Sequence, residues 1–527
     1  MPANSHLQFG YRRHPDQDAP EPAHHAVVII GAGPVGMALA LDLERRGINS
    51  VLLDDADRIG DGSRAICFAK RTLEIFDRLG VAAPMLEKGV VWQRGRVFLR
   101  DRQVYEFDLL PEGGHKMPAF INLQQYYVEQ FLVEAIVARP GVDLRWRNRV
   151  VDIAPRNDGA TVTIDTPDGP YRLGCDWLIC CDGARSPARA LLGLDFSGEV
   201  FEDQFLIADV RMTAEFPTER WFWFDPPFHS GQSALLHRQP DDIWRIDLQL
   251  GPDADTATER LPENVSPRIA RMLGHSKFTL EWVSIYKFQC RRLDRFVHGR
   301  AVFAGDAAHQ VSPFGARGAN SGIQDADNLG WKLAAVLRGE APAGLIDSYD
   351  LERGQAADEN IGHSTRSTDF IAPRSHTERL FRNAVLELAG RADFAKRFVN
   401  SGRLSLPTVY DTPLSTPDEA AFAASSMLGA AVPDAPLSAG RSLSPWLLDR
   451  IGPGFTVLCF GDGARPQRIQ SATLLSLPIT DVLAKRFGAA PGTTYVIRPD
   501  GHVCARFRRF DATKVAAAIK TALGHQV

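Results

Sequence analysis

Cysteine is scarce in this sequence and widely scattered. The cysteines fall at positions too irregular for a disulfide framework or a zinc site, and no metal site is predicted. Reduced, buried thiols in a reducing compartment are the expected state, so the predicted location is cytoplasmic. The seven cysteines of the 527 residues are Cys67, Cys175, Cys180, Cys181, Cys290, Cys459 and Cys504.

Long apolar runs and an excess of one charge are also missing. A membrane-spanning helix needs about 18 or more consecutive apolar residues, and none occurs, so no membrane partner is predicted. The first 25 residues are polar and lack the apolar core of a secretory signal. The net charge of −4 gives no basic field that could hold nucleic acid. The remaining class is a globular protein of several domains, since a domain takes roughly 150 residues.

A dinucleotide fingerprint stands near the N-terminus. Gly31-Ala32-Gly33-Pro34-Val35-Gly36 lies between an apolar run that predicts a parallel strand and a helical pattern. The first glycine permits the tight turn, the second admits a pyrophosphate, and the third lets helix and strand pack closely. Asp54, 23 positions after Gly31 and followed by Asp55, can accept hydrogen bonds from a ribose diol. The fingerprint alone leaves FAD and NAD both open.

Two further motifs follow predicted strands later in the chain. Cys181-Asp182-Gly183 follows one strand, Ala304-Gly305-Asp306 follows another, and Pro313 to Asn320 leads into a predicted helix over 318–337. In this order the three signatures resemble the group A flavoprotein aromatic hydroxylases, the p-hydroxybenzoate hydroxylase-like FAD monooxygenases. The most similar branch holds phenol hydroxylase and 3-(3-hydroxyphenyl)propionate hydroxylase, with a C-terminal thioredoxin-like domain. The resemblance covers residues 26–375, and residues 440–527 more loosely.

The resemblance implies an α/β fold in several parts. A Rossmann-like FAD-binding domain is expected, with an inserted, mainly antiparallel β substrate domain and a C-terminal thioredoxin-like α/β domain. The tail carries no Cys-x-x-Cys, so dithiol exchange is excluded and a structural role is expected. The expected parts are a lead (1–25), the FAD domain (26–92, 118–197 and 290–375), the substrate sheet (93–117 and 198–289), a helical region and linker (376–440, within a mainly helical stretch over 345–430) and the thioredoxin-like domain (441–527).

The resemblance also implies the cofactor contacts. The aspartate of the Gly-Asp motif is expected to bind the ribityl chain. The start of the helix at 318 is expected to face the N1–C2 carbonyl edge of the flavin, where negative charge develops on reduction. Arginine and glutamine positions of the family, and a weaker backbone contact to adenine, complete the expected set. The predicted cofactor-binding residues are Gly31, Gly33, Pro34, Val35, Gly36, Asp54, Asp55, Ser63, Arg64, Gln125, Val150, Asp182, Gly183, Asp306, Pro313, Gly318, Ala319 and Asn320.

The implied reaction is hydroxylation of a phenolic aromatic with O₂. In the family, FAD is reduced by NADPH or NADH bound transiently, and a flavin C4a-hydroperoxide then attacks an electron-rich ring. Only one GxGxxG occurs, so no second dinucleotide domain is expected. The identity of the reductant and of the phenol stays open, and a homodimer is among the open assembly states.

The substrate site is expected between residues 312–320 and the inserted sheet. A His or Tyr there could accept a phenol proton, and Arg317 could pair with a substrate carboxylate. His309 is interpreted as structural or flavin-adjacent. Tyr105 and His115 are further candidates for the pocket. The catalytic candidates are His229, His237, Tyr286 and Arg317, and the substrate-binding candidates are Trp221, Trp223, Arg238, Trp244 and Arg245.

Two alternatives remain at this point. Trp221-x-Trp223-x-Asp225-Pro226 is similar to the Trp-x-Trp-x-Ile-Pro motif of flavin-dependent halogenases, although Asp225 replaces the isoleucine. The tail without its redox pair raises a second alternative, a non-catalytic flavin subunit that senses redox state. A halide-dependent product would favour the first, and failure to consume NAD(P)H and O₂ with any phenol would favour the second.

Overall fold

The computed structural model describes residues 8–60, 65–399, 404–419, 421–422, 426–437, 444–461, 469 and 471–525. Short 3₁₀ helices occur at Pro15–Asp18, Pro227–His229, Gly305–Ala307, Ala343–Ile346 and Leu448–Arg450. The α-helices are α1 (Pro34–Arg45), α2 (Lys70–Leu79), α3 (Ala82–Lys88), α4 (Gln125–Val137), α5 (Pro187–Leu191), α6 (Thr256–Glu259), α7 (Pro262–Leu273), α8 (Gly318–Leu337), α9 (Asp347–Ile371), α10 (His376–Ala389), α11 (Asp393–Val399), α12 (Asp481–Phe487) and α13 (Ala512–Ala522).

The strands form two large sheets and two small ones. They are β1 (Ala23–Ile30), β2 (Ser50–Leu53), β3 (Cys67–Ala69), β4 (Val90–Trp92), β5 (Arg94–Leu99), β6 (Arg102–Asp108), β7 (Phe120–Asn122), β8 (Val142–Arg145), β9 (Arg149–Arg156), β10 (Gly159–Asp165), β11 (Tyr171–Cys180), β12 (Ser197–Arg211), β13 (Arg220–Phe224), β14 (Ser233–Arg238), β15 (Ile243–Leu250), β16 (Thr279–Arg292), β17 (Val297–His298), β18 (Ala301–Phe303), β19 (His309–Gln310), β20 (Phe455–Phe460), β21 (Ala472–Leu477), β22 (Thr494–Ile497) and β23 (Val503–Phe507).

The first large sheet is the nucleotide-binding part of the fold. Its order is β17-β18-β11-β1-β2-β8, and the hairpin β9-β10 pairs with the first half of β11. From β18 to β8 the neighbours are parallel, as the continuous apolar runs of β1 and β11 predict. Helices α1, α4 and α8 cover the sheet, so β1 and β11 are buried on both faces and form the main core.

The second large sheet is mainly antiparallel and has two chemically different faces. Its order is β19-β16-β12-β15-β14-β13-β5-β6. On the inner face, Phe205, Phe224 and Leu235 pack with Phe314 from the loop before α8 and with α10 and α11. On the outer face, Leu236 and its neighbours pack beneath α7. Because strand side chains alternate between faces, a shift of one position decides which residues face the first sheet.

The C-terminal residues form a separate sheet that docks on the first. Its order is β21-β20-β22-β23, with β20 and β21 parallel and the other pairs antiparallel. The turn after β22 inserts Arg498 into the helices of the first part, where both amino groups of its guanidinium donate to Glu352 on α9. The thioredoxin-like assignment and the domain boundaries stay predictions.

Two segments differ in detail from the sequence pattern. Residues 142–153 form two strands, β8 and β9, which are separated where Arg147 takes a φ of 59°. The stretch 345–430, expected to be mainly helical, is helical as far as Val399, and the described residues between 404 and 437 contain no α-helix. Prolines at 407, 413, 417, 433 and 436 remove backbone donors there. No helix in the described part of the chain is long and apolar enough to cross a membrane.

Candidate flavin site

The ends of the parallel strands lie side by side at one edge of the first sheet. Ile30 of β1 is in register with Cys180 of β11 and with Leu53 of β2, and Cys180 is in register with Phe303 of β18. The glycine-rich loop, Asp182, Asp54 and the Gly305-Asp306 pair therefore all leave the sheet at the same edge. Ligands of open parallel sheets bind at this carboxyl edge.

The glycine-rich loop is shaped by two close approaches and one open space. Gly31 has a φ of +101°, and a methyl group on it would stand 2.5 Å from the carbonyl oxygen of Cys181. A methyl group on Gly36 would collide with the carbonyl oxygen of Gly31. At Gly33, the N-cap of α1, a methyl group would meet no protein atom within 4 Å. The open side of the loop is thus the side from which a pyrophosphate can approach the start of α1 at Pro34.

Asp54, the acid that follows β2, is hydrogen-bonded to the glycine-rich loop and orients it. Asp54 Oδ2 accepts from the backbone N–H of Ala32 at 2.6 Å, and Oδ1 accepts from that of Ala56 at 2.9 Å. Burial raises the pKa of Asp54, although both N–H groups oppose the shift. Asp55 is exposed. A ribose diol bound here would therefore share a carboxylate that already orients the turn.

Arg189 ties the Asp-Gly loop to the Gly-Asp loop. Its guanidinium donates to the carbonyl oxygens of Ala307 at 2.9 Å and Ala184 at 2.7 Å. Asp182 accepts from the N–H of Ala188 at 2.8 Å, and burial raises the pKa of Asp182. Gly183 takes a φ of 77°, which turns the chain sharply after the acid. The sequence did not single out Arg189, because its partners are backbone carbonyls.

Asp306, in the 3₁₀ helix Gly305–Ala307, and His309, three positions later at the start of β19, face different surroundings. Asp306 is exposed at the carboxyl edge of the sheet. His309 is 1% exposed, and its Nε2 lies 2.7 Å from Oδ2 of Asp325 on α8. Arg353 donates to the other oxygen of Asp325, at 2.5 Å. The buried His309–Asp325–Arg353 chain joins the start of β19 to α8 and α9.

The loop from Pro313 to the start of α8 is held on both sides. Asn320 Oδ1 accepts from the N–H of Ala69 at 2.8 Å, and its Nδ2 donates to the carbonyl oxygens of Cys67 at 2.8 Å and Ala316 at 2.6 Å. The side chain of Asn320 thus fixes β3 against the loop. The backbone N–H groups of Gly318 and Ala319 belong to the first turn of α8, whose positive end attracts anions.

Close contact between backbones brings the three loops together. A methyl group on Gly305 would stand 2.9 Å from the Val35 side chain, and one on Gly322 would stand 3.2 Å from the Cα atom of Gly305. Only glycine allows α8 to approach the glycine-rich loop and the Gly-Asp loop at this distance. The start of α8 is therefore placed over the edge where the strand-end motifs emerge.

The remaining predicted cofactor residues are placed as follows. Gln125 Oε1 accepts from the N–H of Ala65 at 3.1 Å, and its Nε2 donates to Glu129 at 2.7 Å. Gln125 therefore lies against Ala65, the first described residue after position 60. Ser63 and Arg64 lie outside the described residues. Val150 is buried in β9 and is paired with β10.

These residues fit FAD. A methyl group on Gly33 would occupy the open side of the glycine-rich loop, and Asp306 is exposed at the same edge of the sheet. The first turn of α8 presents N–H groups. A dinucleotide with a polyol chain and an anionic ring edge matches these three features in chain order.

Replacement of Asp306 tests the ribityl contact. We expect Asp306→Ala to weaken FAD binding about tenfold, the size of one hydrogen bond to a charged group, without a change in the melting temperature of the apoprotein. The measurement is the dissociation constant of FAD, from quenching of its fluorescence by apoprotein. Asp158→Ala, at the exposed turn after β9, is the matched control. Equal affinities in the two variants would contradict the assignment.

Comparison with known proteins agrees with this site. The model of the FAD binding domain family matches residues 24–364. The chain belongs to this FAD-binding family. The 6-methylpretetramide 4-monooxygenase of Streptomyces rimosus is 31% identical, over 96% of this chain and 94% of its own length. The 3-(3-hydroxy-phenyl)propionate/3-hydroxycinnamic acid hydroxylase of Mycolicibacterium smegmatis is 28% identical, over 83% and 77%.

A solved structure shows the same fold. The flavin-dependent monooxygenase PieE, in complex with FAD and substrate, superposes with a TM-score of 0.82 at 24% identity over 96% of this chain and 100% of that one. The predicted membership in the group A flavoprotein hydroxylases is confirmed, as are the α/β fold class and FAD as the cofactor. The protein is a flavin-dependent monooxygenase, and nothing favours the halogenase alternative.

The predicted tryptophans do not face the flavin edge. Trp244 is 2% exposed in the outer-face cluster, and Trp221 and Trp223 border the same cluster. The guanidinium of Arg238 lies 5.8 Å from the centre of the Trp244 ring. These four side chains share the face that α7 covers. The structure therefore does not bring them to the loop from Pro313 to the start of α8, which we call the flavin loop.

The other candidates divide between the two faces and the domain contact. Arg245 and His237 lie on the inner face, and Tyr286 borders the inner-face cluster. His229 donates to the carbonyl oxygen of Gln249 at 2.7 Å, in an open groove beside α7. Arg317 is buried and donates to Asn360 on α9 at 3.2 Å.

The two further candidates for the substrate pocket, Tyr105 and His115, also lie in different parts of the structure. Tyr105 is buried in the inner-face cluster, and burial raises the pKa of its hydroxyl. His115 lies 3.0 Å from Arg486 of the C-terminal sheet, and burial lowers the pKa of its imidazole to about 4. Of the described residues, no group of three His, Cys, Asp or Glu side chains is placed to hold a metal ion.

His237 and Arg245 belong to a polar row that crosses the inner face, and sequence reasoning missed the other members of this row, Asp209, Arg220 and Asp247. Register places Asp209, Arg245, His237 and Arg220 side by side on β12, β15, β14 and β13. Asp247 stands two positions along β15 from Arg245. The signal in the sequence is a charged residue at every second position of strands that are otherwise apolar and aromatic. Such a pattern indicates a polar row on a buried face of the sheet, not a face exposed to solvent.

Proposed function

We propose that the protein hydroxylates a phenolic aromatic with O₂ and NAD(P)H. The observation that carries this proposal is the position of Phe314. It belongs to the loop before α8, and its ring centre lies 4.9 Å from that of Phe205 and 5.1 Å from that of Phe288 on the inner face. The flavin loop and the apolar wall of the second sheet therefore meet, and a flat ring bound there is adjacent to the flavin edge.

The relatives support an aromatic substrate. One is named for 6-methylpretetramide and another for hydroxyphenylpropionate and hydroxycinnamic acid. The second name describes hydroxylated aromatic compounds. The wall of Phe205, Phe224 and Phe288 offers such a ring the edge and face contacts that aromatic side chains make with one another.

The chain's own residues bind, orient and shield. Bound FAD supplies hydride acceptance from a nicotinamide and activation of O₂ for transfer of one oxygen atom. Asp306 and the glycine-rich loop hold its polar chain, and the first turn of α8 stabilises negative charge at the ring edge. The inner face and helices α10 and α11 exclude water from the ring. None of these tasks requires a catalytic triad.

The proposal includes a reducing, cytoplasmic location and a transient nicotinamide. All seven cysteines are free and buried, which is the state expected in that compartment. The choice between NADH and NADPH stays open, and so does the assembly state, with a homodimer among the alternatives.

A panel of hydroxylated aromatics and their methyl ethers tests the proposal. We expect at least one phenol to stimulate oxidation of NADH or NADPH by the holoprotein about tenfold or more, since positioning of the ring is required for productive turnover. We expect its methyl ether to do so far less. Oxidation would be followed at the nicotinamide absorption band, and O₂ uptake would be recorded in parallel. A rate that no phenol changes would contradict the proposal.

A further inference from the structure

The inner-face row contains buried polar atoms that the protein leaves without partners. Among the described residues, Nε of Arg220, Nδ1 of His237 and Oδ1 of Asp247 have no hydrogen-bond partner. Arg220 is 8% exposed and His237 is 3% exposed. Buried polar groups are normally hydrogen-bonded, so these three atoms on one face are open to a ligand that satisfies them.

Some charged residues of the row have a partner of opposite charge and others do not. Arg245 is neutralised by Asp209, to which it donates twice, at 2.8 and 2.7 Å. Arg220 has no such carboxylate within hydrogen-bonding distance among the described residues. Asp247 Oδ2 lies 4.0 Å from His237 Nε2, beyond hydrogen-bonding distance. Arg220 and Asp247 are therefore the donor and the acceptor that remain for a ligand.

The protonation states follow from the surroundings. Burial, and then the charges of Arg220 and Arg245, holds the pKa of His237 well below its ordinary value, so the imidazole is neutral. Burial raises the pKa of Asp247 to about 6, although Arg245 and Arg220 oppose the shift. At neutral pH the row thus offers a cationic donor, a neutral imidazole and a carboxylate acceptor.

The row is within reach of the flavin loop through β3. The thiol of Cys67 on β3 donates to Oδ1 of Asn122 at 3.1 Å, and Nδ2 of Asn122 donates to the carbonyl oxygen of Arg238 at 2.7 Å, so β3 lies against the end of β14, one position after His237. The backbone carbonyl of Cys67 accepts from Asn320 at the start of α8, and Ala316 of the flavin loop packs in the same cluster as Cys67. A ligand held by the row therefore extends toward the loop that carries Phe314.

We propose that Arg220 and Asp247 bind the polar edge of the aromatic substrate, and that this edge carries two oxygens, one for each residue. One is an acceptor, a carbonyl or phenolate oxygen, that accepts a hydrogen bond from Nε–H of Arg220. The other is a hydroxyl that donates to Asp247 Oδ1. The substrate class is thus a hydroxyaryl carbonyl compound rather than a simple phenol. This inference rests on the proposed function, because it places the substrate of that reaction.

Three probe ligands separate the two contacts. They are an ortho-acetyl naphthol, the parent naphthol without the acetyl group, and the methyl ether of the acetyl naphthol. Binding is measured as the perturbation of the oxidised flavin spectrum of the holoprotein, without NAD(P)H. We expect the acetyl naphthol to bind about tenfold or more tightly than either analogue, because each analogue lacks one hydrogen bond to a charged group.

Two variants assign each oxygen to its residue. Arg220→Met is expected to reduce the affinity for the acetyl naphthol to that for the parent naphthol, whose own affinity stays unchanged. Asp247→Leu is expected to reduce it to that for the methyl ether, whose affinity also stays unchanged. Arg238→Met, the same substitution on the outer face of the same sheet, is the matched control and leaves all three affinities as in the wild type.

The outcomes separate this inference from the proposed function. If the three probes bind the wild type equally, or if Arg220→Met weakens all three alike, the inference is wrong even when phenols are hydroxylated. If the probes rank as expected and the variants remove that ranking while no phenol is turned over, the inference stands and the proposed function fails. If a variant does not fold, the order of the three probe affinities in the wild type still tests the inference.

Discussion

Gly33→Val is expected to give a folded protein that no longer retains FAD. A Cβ atom at this position meets no protein atom within 4 Å and stands in the space beside the start of α1. The backbone at Gly33 has φ −76° and ψ 179°, which valine adopts without strain. The pyrophosphate is expected to lose its approach to the helix end, so we expect FAD affinity to fall at least about a hundredfold, equivalent to about 2.8 kcal/mol.

The design compares apoproteins, because bound FAD itself stabilises the folded state. FAD content after purification and the dissociation constant measured with apoprotein give the effect on binding. The melting temperature relative to wild-type apoprotein gives the effect on folding. Gly454→Val, at an exposed position that also meets no protein atom, is the matched control. Gly31→Val should instead fail to fold, because the new side chain meets the Cys181 carbonyl. A yellow Gly33→Val protein of normal affinity would rule out this cradle.

Glu352→Gln is expected to destabilise the protein by about 3 to 5 kcal/mol, because it leaves two cations buried with too little opposing charge. Glu352 is fully buried on α9. It accepts from Arg498 at 2.6 and 3.0 Å, from Lys332 at 2.8 Å and from Asn328 at 2.7 Å. The same substitution at Glu419, whose pair with Lys514 is exposed, should cost less than about 1 kcal/mol.

Urea unfolding at neutral pH, followed by circular dichroism, measures both variants. Burial raises the pKa of Glu352, but Arg498 and Lys332 outweigh it, so that pKa lies well below its ordinary value. A depressed carboxylate pKa stabilises the folded state above the unfolded value of about 4.3, and this stabilisation is lost as the pH falls. Glu352→Gln should therefore lose less stability on acidification than the wild type. Equal stability of Glu352→Gln and wild type at neutral pH would show that the C-terminal sheet docks by other contacts.

The flavin edge was predictable from sequence because its parts are local. Gly31, Asp182 and Asp306 each follow an apolar strand, and parallel strands bring their ends to one edge. The placement of the tryptophans was not predictable with the same means. Trp221 and Phe222 are neighbours in β13, yet one packs beneath α7 and the other borders the inner-face cluster, and only the register of the sheet distinguishes them.

Contacts between distant segments were also beyond the sequence. Arg220 and Asp247 share the inner face only because β13, β14 and β15 pair in one register. Arg498 and Glu352 are separated by 146 positions, and each alone resembles an ordinary surface charge. Such pairs are set by tertiary packing, which neither local propensity nor motif spacing encodes.

Transfer of oxygen from O₂ to a phenolic ring is the central claim, and isotope labelling tests it most directly. The holoprotein would be supplied with NAD(P)H, a stimulating phenol and heavy-isotope O₂ in ordinary water, and the product would be analysed by mass spectrometry. The account predicts a product that gains one heavy oxygen atom, with one nicotinamide oxidised per product formed. Nicotinamide oxidation that yields only hydrogen peroxide, or a product whose new oxygen comes from water, would contradict it.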